Sequence, residues 1–109
     1  MDFNTLTVKA REAFQQAQVK AARFGHQELD GEHLLLALLA QDEGLVPRLI
    51  EACGASVPTL RAAVEQTLEK RPSVSGPGAE AGKVYVTNRL NGLVVAAMDE
   101  AKKLKDEYV

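Results

Sequence analysis

The fold of this chain is decided by one stretch, Asp30-Gly31-Glu32-His33-Leu34-Leu35-Leu36-Ala37-Leu38-Leu39. Asp30 is well suited to cap a helix, because its carboxylate can accept a hydrogen bond from a backbone N–H that the first turn leaves unpaired. The leucines that follow cover more than one face of a helix, so the sequence predicts a buried helix over residues 31–41. The other helices must pack around it, and the stretch itself carries no pattern that is typical of catalysis.

The composition narrows the class of protein. The chain has 109 residues, enough for one small domain, and only 5% of them are aromatic, so leucine, valine and alanine must form the core. The net charge of −2 argues against a general nucleic-acid-binding surface. No apolar run approaches the ~20 residues of a membrane span. The first residues lack a signal-peptide pattern and the one cysteine, Cys53, cannot form an internal disulfide, which predicts a cytoplasmic protein.

Four further helices are predicted from apolar residues that recur at three- and four-residue steps. They span residues 7–24, 46–52, 57–70 and 87–105. Thr7, Ser56 and Thr87 are suited to cap three of these helices, and Gly25 and Gly54 are suited to end two of them. The sequence therefore predicts an all-α protein.

The helices fall into two parts that a linker separates. Residues 71–83 contain two prolines and three glycines, a composition that favours a mobile loop. We predict a first four-helix repeat over residues 1–70, a Pro/Gly-rich linker over residues 71–86, and the opening helix of a second repeat over residues 87–109.

The prediction of a repeat comes from comparing the first and fifth helices. A shift of 80 residues places Thr7 on Thr87 and Ala17 on Ala97, and eight apolar positions agree without a gap. On this interpretation the chain ends just before its second copy of the Asp30–Leu39 stretch. The apolar face of the fifth helix would then be covered by the first unit, or by another chain through swapping or dimerisation.

Three candidate chemical sites are weak. Residues 78–83 resemble a phosphate-binding loop, but three residues instead of four separate the glycines and Val84 replaces the required Ser or Thr, so the linker interpretation is favoured. His26 and His33 have no further metal ligands at useful spacing, and the position of His33 at the start of a buried helix predicts a packed or capping role. Cys53 stands beside Ala52 and Gly54, which predicts a small interior residue. A Cys–His nucleophile pair, and with it a small enzyme or metal protein, stays open as an alternative. We assign no catalytic, cofactor-binding or metal-binding residue.

Four features of the sequence occur together: Thr7, residues 25–39, the linker residues 70–76, and the ending Lys102-Lys103-Leu104-Lys105-Asp106-Glu107-Tyr108-Val109. This combination, which covers essentially the whole chain, resembles the N-terminal domain of ClpB-type protein disaggregases. Related domains precede the ATPase modules of the ClpA and ClpC unfoldases, and the Pro-Ser-Val-Ser-Gly linker favours the ClpB type.

The resemblance implies a Clp N-domain-like repeat fold and a non-catalytic function. Such a domain captures unfolded or aggregated polypeptide segments and passes them to the AAA+ ring of the parent protein, where ATP and Mg²⁺ bind. The implied partners are these polypeptides, the DnaK chaperone system and further copies in a homohexamer that forms through the AAA+ modules, with neither nucleic acid nor membrane involved. The alternative within the family is an adaptor-docking domain of a ClpA/ClpC-type unfoldase that serves a protease.

The resemblance also implies which residues bind the polypeptide: Thr7, Val94, Asp106, Tyr108 and Val109. Thr7 and Asp106 match family residues near the mouth of an apolar groove, and the other three match apolar positions of the groove region. Simpler roles exist, because Thr7 is an adequate N-cap and the last two residues are suited to packing. A groove with few polar anchors suits a binder that must accept many sequences.

Overall fold

The structure, a computed structural model, describes residues 6–41, 44–72 and 85–104. These residues form helices and two short strands in the order α1 (Val8–Arg23), β1 (Glu28–Leu29), α2 (Gly31–Leu39), α3 (Leu45–Ala52), α4 (Val57–Glu69), β2 (Tyr85–Val86) and α5 (Asn88–Lys103). The all-α prediction is confirmed, and every predicted helix is present within two residues of its predicted bounds. None of the helices in the described part of the chain is long and apolar enough to cross a membrane.

The predicted caps start and end these helices. The hydroxyls of Thr7, Ser56 and Thr87 each accept a hydrogen bond from the backbone N–H three residues ahead, at 3.1, 3.3 and 3.1 Å. Gly25 and Gly54 follow α1 and α3 with φ of 74° and 85°, a conformation that side chains with a Cβ rarely adopt. These local features are confirmed because each depends on residues that are close in the sequence.

Helix α2 lies at the centre of the core, as predicted. Its Ala37 belongs to an apolar cluster with the small residues of α1, whereas Leu36 and Leu39 belong to a second cluster with Val64 and Leu68 of α4. A nine-residue helix that is buried on two sides explains why the sequence shows leucine around most of its circumference. The first four helices therefore pack as one unit around α2.

Strands β1 and β2 form a parallel pair that the sequence did not predict. Leu29 pairs with Val86, and the Thr87 N–H donates to the Leu29 carbonyl at 3.0 Å. Two residues are too few to show the alternation that identifies a strand, so residues 85 and 86 were included in the linker. The pairing places the start of α5 beside the start of α2.

Helix α5 packs on the first unit through two buried residues, Leu90 and Val94. The rest of its apolar face is less covered than the matching face of α1. Ala17 is fully buried against α2, whereas Ala97, at the matching position, is half-buried. The face that α1 buries against α2 is thus partly open on α5.

The interior position predicted for Cys53 is wrong, since this thiol is exposed. Cys53 is the C-cap of α3, and it lies past Ile50, the last apolar residue through which α3 packs on the core. Leu45 and Leu49 of the same helix are exposed as well. A short helix at the periphery can turn only part of its apolar surface inward.

Candidate functional site

Two adjoining cavities form a groove along α2 and α5. The larger, of about 530 Å³, is lined by Asp30, Gly31, Glu32, Leu34, Leu35, Leu38, Arg89, Leu90 and Leu93. The smaller, of about 270 Å³, is lined by Leu6, Ala10, Phe14, Leu34, Leu38, Leu93, Val94 and Ala97. Leu34, Leu38 and Leu93 line both cavities, so the two adjoin. We refer to this combined surface as the α2–α5 groove.

The α2–α5 groove is apolar along most of its length and polar at one end. Leucine, alanine, valine and phenylalanine side chains line its apolar part, and Asp30, Glu32 and Arg89 lie at the polar end. Burial of apolar side chains is favourable without being directional, so such a surface can hold many different apolar groups. Among the described lining residues, no nucleophile is paired with a general base, and binding is the chemistry that this arrangement supports.

The structure describes two of the five residues that the resemblance implied for polypeptide binding. Val94 lines the smaller cavity with 6% of its surface exposed. Thr7 is exposed and stands between Leu6 and Ala10 in the sequence, and both of these residues line that cavity. The Thr7 hydroxyl caps α1. Residues Asp106, Tyr108 and Val109 lie outside the described part of the chain. Their binding role stays a prediction.

Asp30 organises the polar end of the groove. Its buried carboxylate accepts the Gly31 N–H at 2.9 Å and the Thr87 hydroxyl at 3.1 Å through Oδ1, and Oδ2 pairs with the guanidinium of Arg89. Burial alone raises the pKa of this carboxyl group, but the hydrogen bonds from Gly31, Thr87 and Arg89 outweigh burial and hold it below the ordinary 3.8. Asp30 is therefore charged at neutral pH.

A second arginine approaches the same carboxylates from the end of α4. Arg71 Nη1 lies 3.8 Å from Asp30 Oδ2, and Arg71 Nη2 lies 2.8 Å from Glu32 Oε2, an ion pair without hydrogen-bond alignment. The polar end thus brings two carboxylates and two guanidinium groups together, with Arg89 completing the set. Opposite charges balance there, which leaves the groove without a strong charge preference of its own.

Two buried histidines continue this network into the core. The Asp30 N–H donates to His33 Nδ1 at 3.0 Å, so this nitrogen carries no proton and the neutral ring holds its hydrogen on Nε2. That N–H donates to His26 Nδ1 at 2.8 Å. The capping role predicted for His33 is confirmed, because it completes the capping box of α2. Both rings are therefore neutral in this arrangement.

Protonation of either histidine is unfavourable in the folded protein. Burial lowers the pKa of His33 below the ordinary 6.5, and the positive charge of Arg71, with that of His26 once His26 is protonated, lowers it further. Burial and Arg71 also lower the pKa of His26, against backbone hydrogen bonds at Leu68 and Arg71 that raise it. An added proton on either acceptor nitrogen would also remove one hydrogen bond of the network.

We expect stability to fall as the pH drops below about 6.5. The unfolded chain takes up protons on His26 and His33 at their ordinary pKa, whereas the folded chain does so only at a lower pKa. Stability is thus fully present above pH 6.5, and each histidine lowers it by up to about 1.4 kcal/mol per pH unit until the folded pKa is reached. Urea titrations between pH 7.5 and pH 5 measure this slope. Asp30 does not contribute to the pH dependence of stability between pH 7.5 and pH 5, since its pKa is below 3.8 in the folded protein. A flat profile would contradict the prediction.

The arrangement of the histidines and of Cys53 argues against the alternative of a Cys–His or metal site. Both nitrogens of His33 are used, by Asp30 and by His26, and Cys53 is exposed at the end of α3. The described residues contain no cluster of three or more His, Cys, Asp or Glu that could hold a metal ion.

Sequence reasoning found the ends of the helices, but it found neither the α2 residues that line the groove nor the partners of Asp30 at its polar end. Leu34 and Leu38 were assigned to a buried helix, although both are only half-buried. Asp30 was recognised as a cap, whereas its partners Arg71 and Arg89 are 41 and 59 residues away along the chain. One signal was available for Arg89, since it matches Lys9 in the repeat and so predicts a basic residue near the start of both helices.

Comparisons with known proteins agree on one family. The model of the Clp repeat (R) N-terminal domain matches residues 5–109. Over its whole length the chain is 50% identical to the chaperone protein ClpB of Nitratidesulfovibrio vulgaris and 45% identical to that of Bacillus cereus. It spans 13% of the length of each of these relatives.

Solved structures share the fold at lower sequence identity. The N-terminal domain of the ClpV1 ATPase from E. coli superimposes with a TM-score of 0.85 at 21% identity, covering 98% of this chain and 63% of that one. The N-terminal domain of ClpD from Arabidopsis thaliana superimposes with a TM-score of 0.71 at 21% identity, covering 100% and 71% of the two chains.

Proposed function

The chain belongs to the Clp N-terminal domain family, as its sequence predicts, and from that membership we propose that it is the substrate-capture module of an ATP-dependent protein disaggregase. It binds apolar segments of unfolded or aggregated polypeptides and passes them to an AAA+ ring. The observation that carries this proposal is the α2–α5 groove, an open apolar surface on a chain whose relatives at 50% and 45% identity are named ClpB chaperones.

The shape of the groove supports a capture role. Its two cavities together offer several apolar positions in a row, suited to the side chains of an extended segment. Few polar groups line its apolar part, so the sequence of the segment matters little and the affinity for any one client is modest. Weak binding suits a module that must release its client to a motor.

The module itself performs no chemistry in this proposal. ATP and Mg²⁺ bind to the AAA+ modules of the parent protein, which assembles as a homohexamer in the cytoplasm and cooperates with the DnaK chaperone system. The described residues contain no phosphate-binding loop, and residues 78–83, which resemble one, lie outside them. The chain on its own is expected to hydrolyse no ATP, which a phosphate-release assay checks.

A charged residue in the apolar part of the groove should weaken capture. We expect Leu93→Asp to weaken the binding of an unfolded, uncharged peptide, with leucines spaced by glycine and serine, by about tenfold or more. Leu93 lines both cavities with 52% of its surface exposed, so an aspartate there faces the apolar client while the fold is preserved. NMR titration of the amide resonances of α2 and α5 measures the affinity.

Val95→Asp is the matched control for this experiment. Val95 lies on the same helix with a similar exposure, 57%, and does not line either cavity of the groove. The control should bind the peptide as the unmodified chain does. Equal affinities of the Leu93→Asp and Val95→Asp variants would show that the peptide binds elsewhere, and would overturn the groove as the capture site.

A further inference from the structure

Asp30 joins α2 to α5 at the polar end of the α2–α5 groove. Its carboxylate is fixed on α2 by the cap bond to Gly31, and it also binds the Thr87 hydroxyl and the Arg89 guanidinium. Thr87 is the N-cap of α5, and Arg89 lies in the first turn of that helix. One buried carboxylate on α2 therefore holds the first turn of α5.

That first turn leads directly into one wall of the groove. Leu90 and Leu93 follow Arg89 on α5 and line the larger cavity. From the side of α2, a Cβ placed on Gly31 would lie 3.9 Å from Leu93 Cδ2, so the two helices are in near contact beside the polar end. A small shift of this turn changes the space between α2 and α5 that an apolar side chain must enter.

We propose that Asp30 and Arg89 are positioning residues of the groove, whose ion pair sets the separation of α2 and α5 and so makes capture sensitive to ionic strength. The inference rests on the proposed capture function. Neither residue has to touch the captured segment, because both act through the placement of Leu93.

The exposure of Arg89 makes the ion pair sensitive to salt. Its side chain is 75% exposed, whereas that of Asp30 is 5% exposed, so dissolved ions can screen the attraction from the side of the arginine. Leu90 and Val94 remain buried in the core and keep α5 attached. Salt therefore shifts the first turn of the helix without releasing the helix.

The direction in which salt changes the affinity distinguishes a groove that an ion pair holds in shape from a rigid apolar groove. Apolar binding on a rigid surface is unchanged or strengthened when salt is added. A groove that an ion pair holds in shape is weakened instead. An uncharged peptide is the required probe, since a charged client would bring its own salt dependence.

The first experiment compares Arg89→Gln with Arg61→Gln. We expect the unmodified chain to bind the uncharged leucine peptide about three- to fivefold more weakly in about 500 mM NaCl than in about 50 mM NaCl. Arg89→Gln should show the weaker affinity at both concentrations. Arg61→Gln removes the same charge from an exposed pair with Glu65 on α4, 3.8 Å apart, and should behave as the unmodified chain does.

The second experiment measures the position of α5 without any client. Spin labels at Gln66→Cys on α4 and Asn91→Cys on α5, in a Cys53→Ser background, report the distance between the helices by pulsed electron spin resonance. Arg89→Gln should broaden or shift this distance. Asp30→Asn should do the same, because asparagine still caps α2 but no longer attracts the guanidinium.

The outcomes separate the two proposals. If the peptide binds with the same affinity in all variants and at both salt concentrations, the positioning role is overturned and capture stands. If neither the unmodified chain nor any variant binds the peptide, the capture proposal fails. The distance measurement then decides the positioning role by itself. A distance that neither substitution changes overturns the positioning role in either case.

Discussion

Replacement of His33 by alanine is expected to lower the free energy of unfolding by about 3 kcal/mol. The ring is fully buried, so its removal leaves a cavity at the start of α2. It also leaves the Asp30 N–H and His26 Nδ1 without their present partners, and each unpaired buried group adds to the loss. Urea denaturation followed by far-UV circular dichroism at pH 7.5 measures the change.

His33→Gln separates the two roles of this residue. Glutamine at the third position of a helix can complete a capping box, so this variant restores an acceptor for the Asp30 N–H. It does not replace the ring that bonds His26. We expect it to recover roughly 1 kcal/mol relative to alanine and to reduce the pH dependence below pH 6.5, since one titrating group is removed. Equal stabilities of the Ala and Gln variants would show that the cap bond contributes nothing.

Replacement of Ala17 by leucine is expected to lower the free energy of unfolding by about 2–3 kcal/mol. Ala17 is fully buried, and Ala13 and Ala21 lie one turn away on the same face, which allows α1 and α2 to approach closely. A leucine side chain has no space there and would force the helices apart. Helix propensity does not explain the effect, because leucine favours helices almost as well as alanine.

Ala97→Leu is the matched substitution at the equivalent position of the repeat. Ala97 is half-buried and lines the smaller cavity of the α2–α5 groove, which can accommodate a larger side chain. We expect a stability change of less than about 1 kcal/mol together with weaker binding of the leucine peptide, since the new side chain fills the cavity. An Ala17→Leu variant that is as stable as the Ala97→Leu variant would contradict the close packing of α1 on α2.

The helices could be predicted because the information that specifies them is local. Thr7 and Thr87 bond the backbone three residues ahead, and Gly25 adopts its positive φ where α1 ends. The leucines of α2 indicate a helix that is buried on more than one side. Each of these inferences uses residues within about one turn of each other. At that separation, helix geometry alone determines which residues can contact one another.

The polar end of the groove could not be predicted, because it depends on contacts between distant segments. The approach of Arg71 and Arg89 to Asp30 follows from the β1–β2 pairing and from the packing of α4, neither of which leaves a readable pattern in the sequence. His26 and His33 were visible as a pair without further ligands. Their mutual hydrogen bond, and hence their neutral state, required the packing of Phe24 and α2 around them.

The sequence by itself determined the family, the order of the helices and their caps, and it predicts the repeat that matches α1 to α5. Only the tertiary structure decided what the repeated residues do. Ala17 and Ala97 are alanines at matching positions of α1 and α5. Ala17 is fully buried against α2, whereas Ala97 lines an open groove. The reason is that helix formation depends on neighbours along the chain, whereas burial depends on which other element lies against each face.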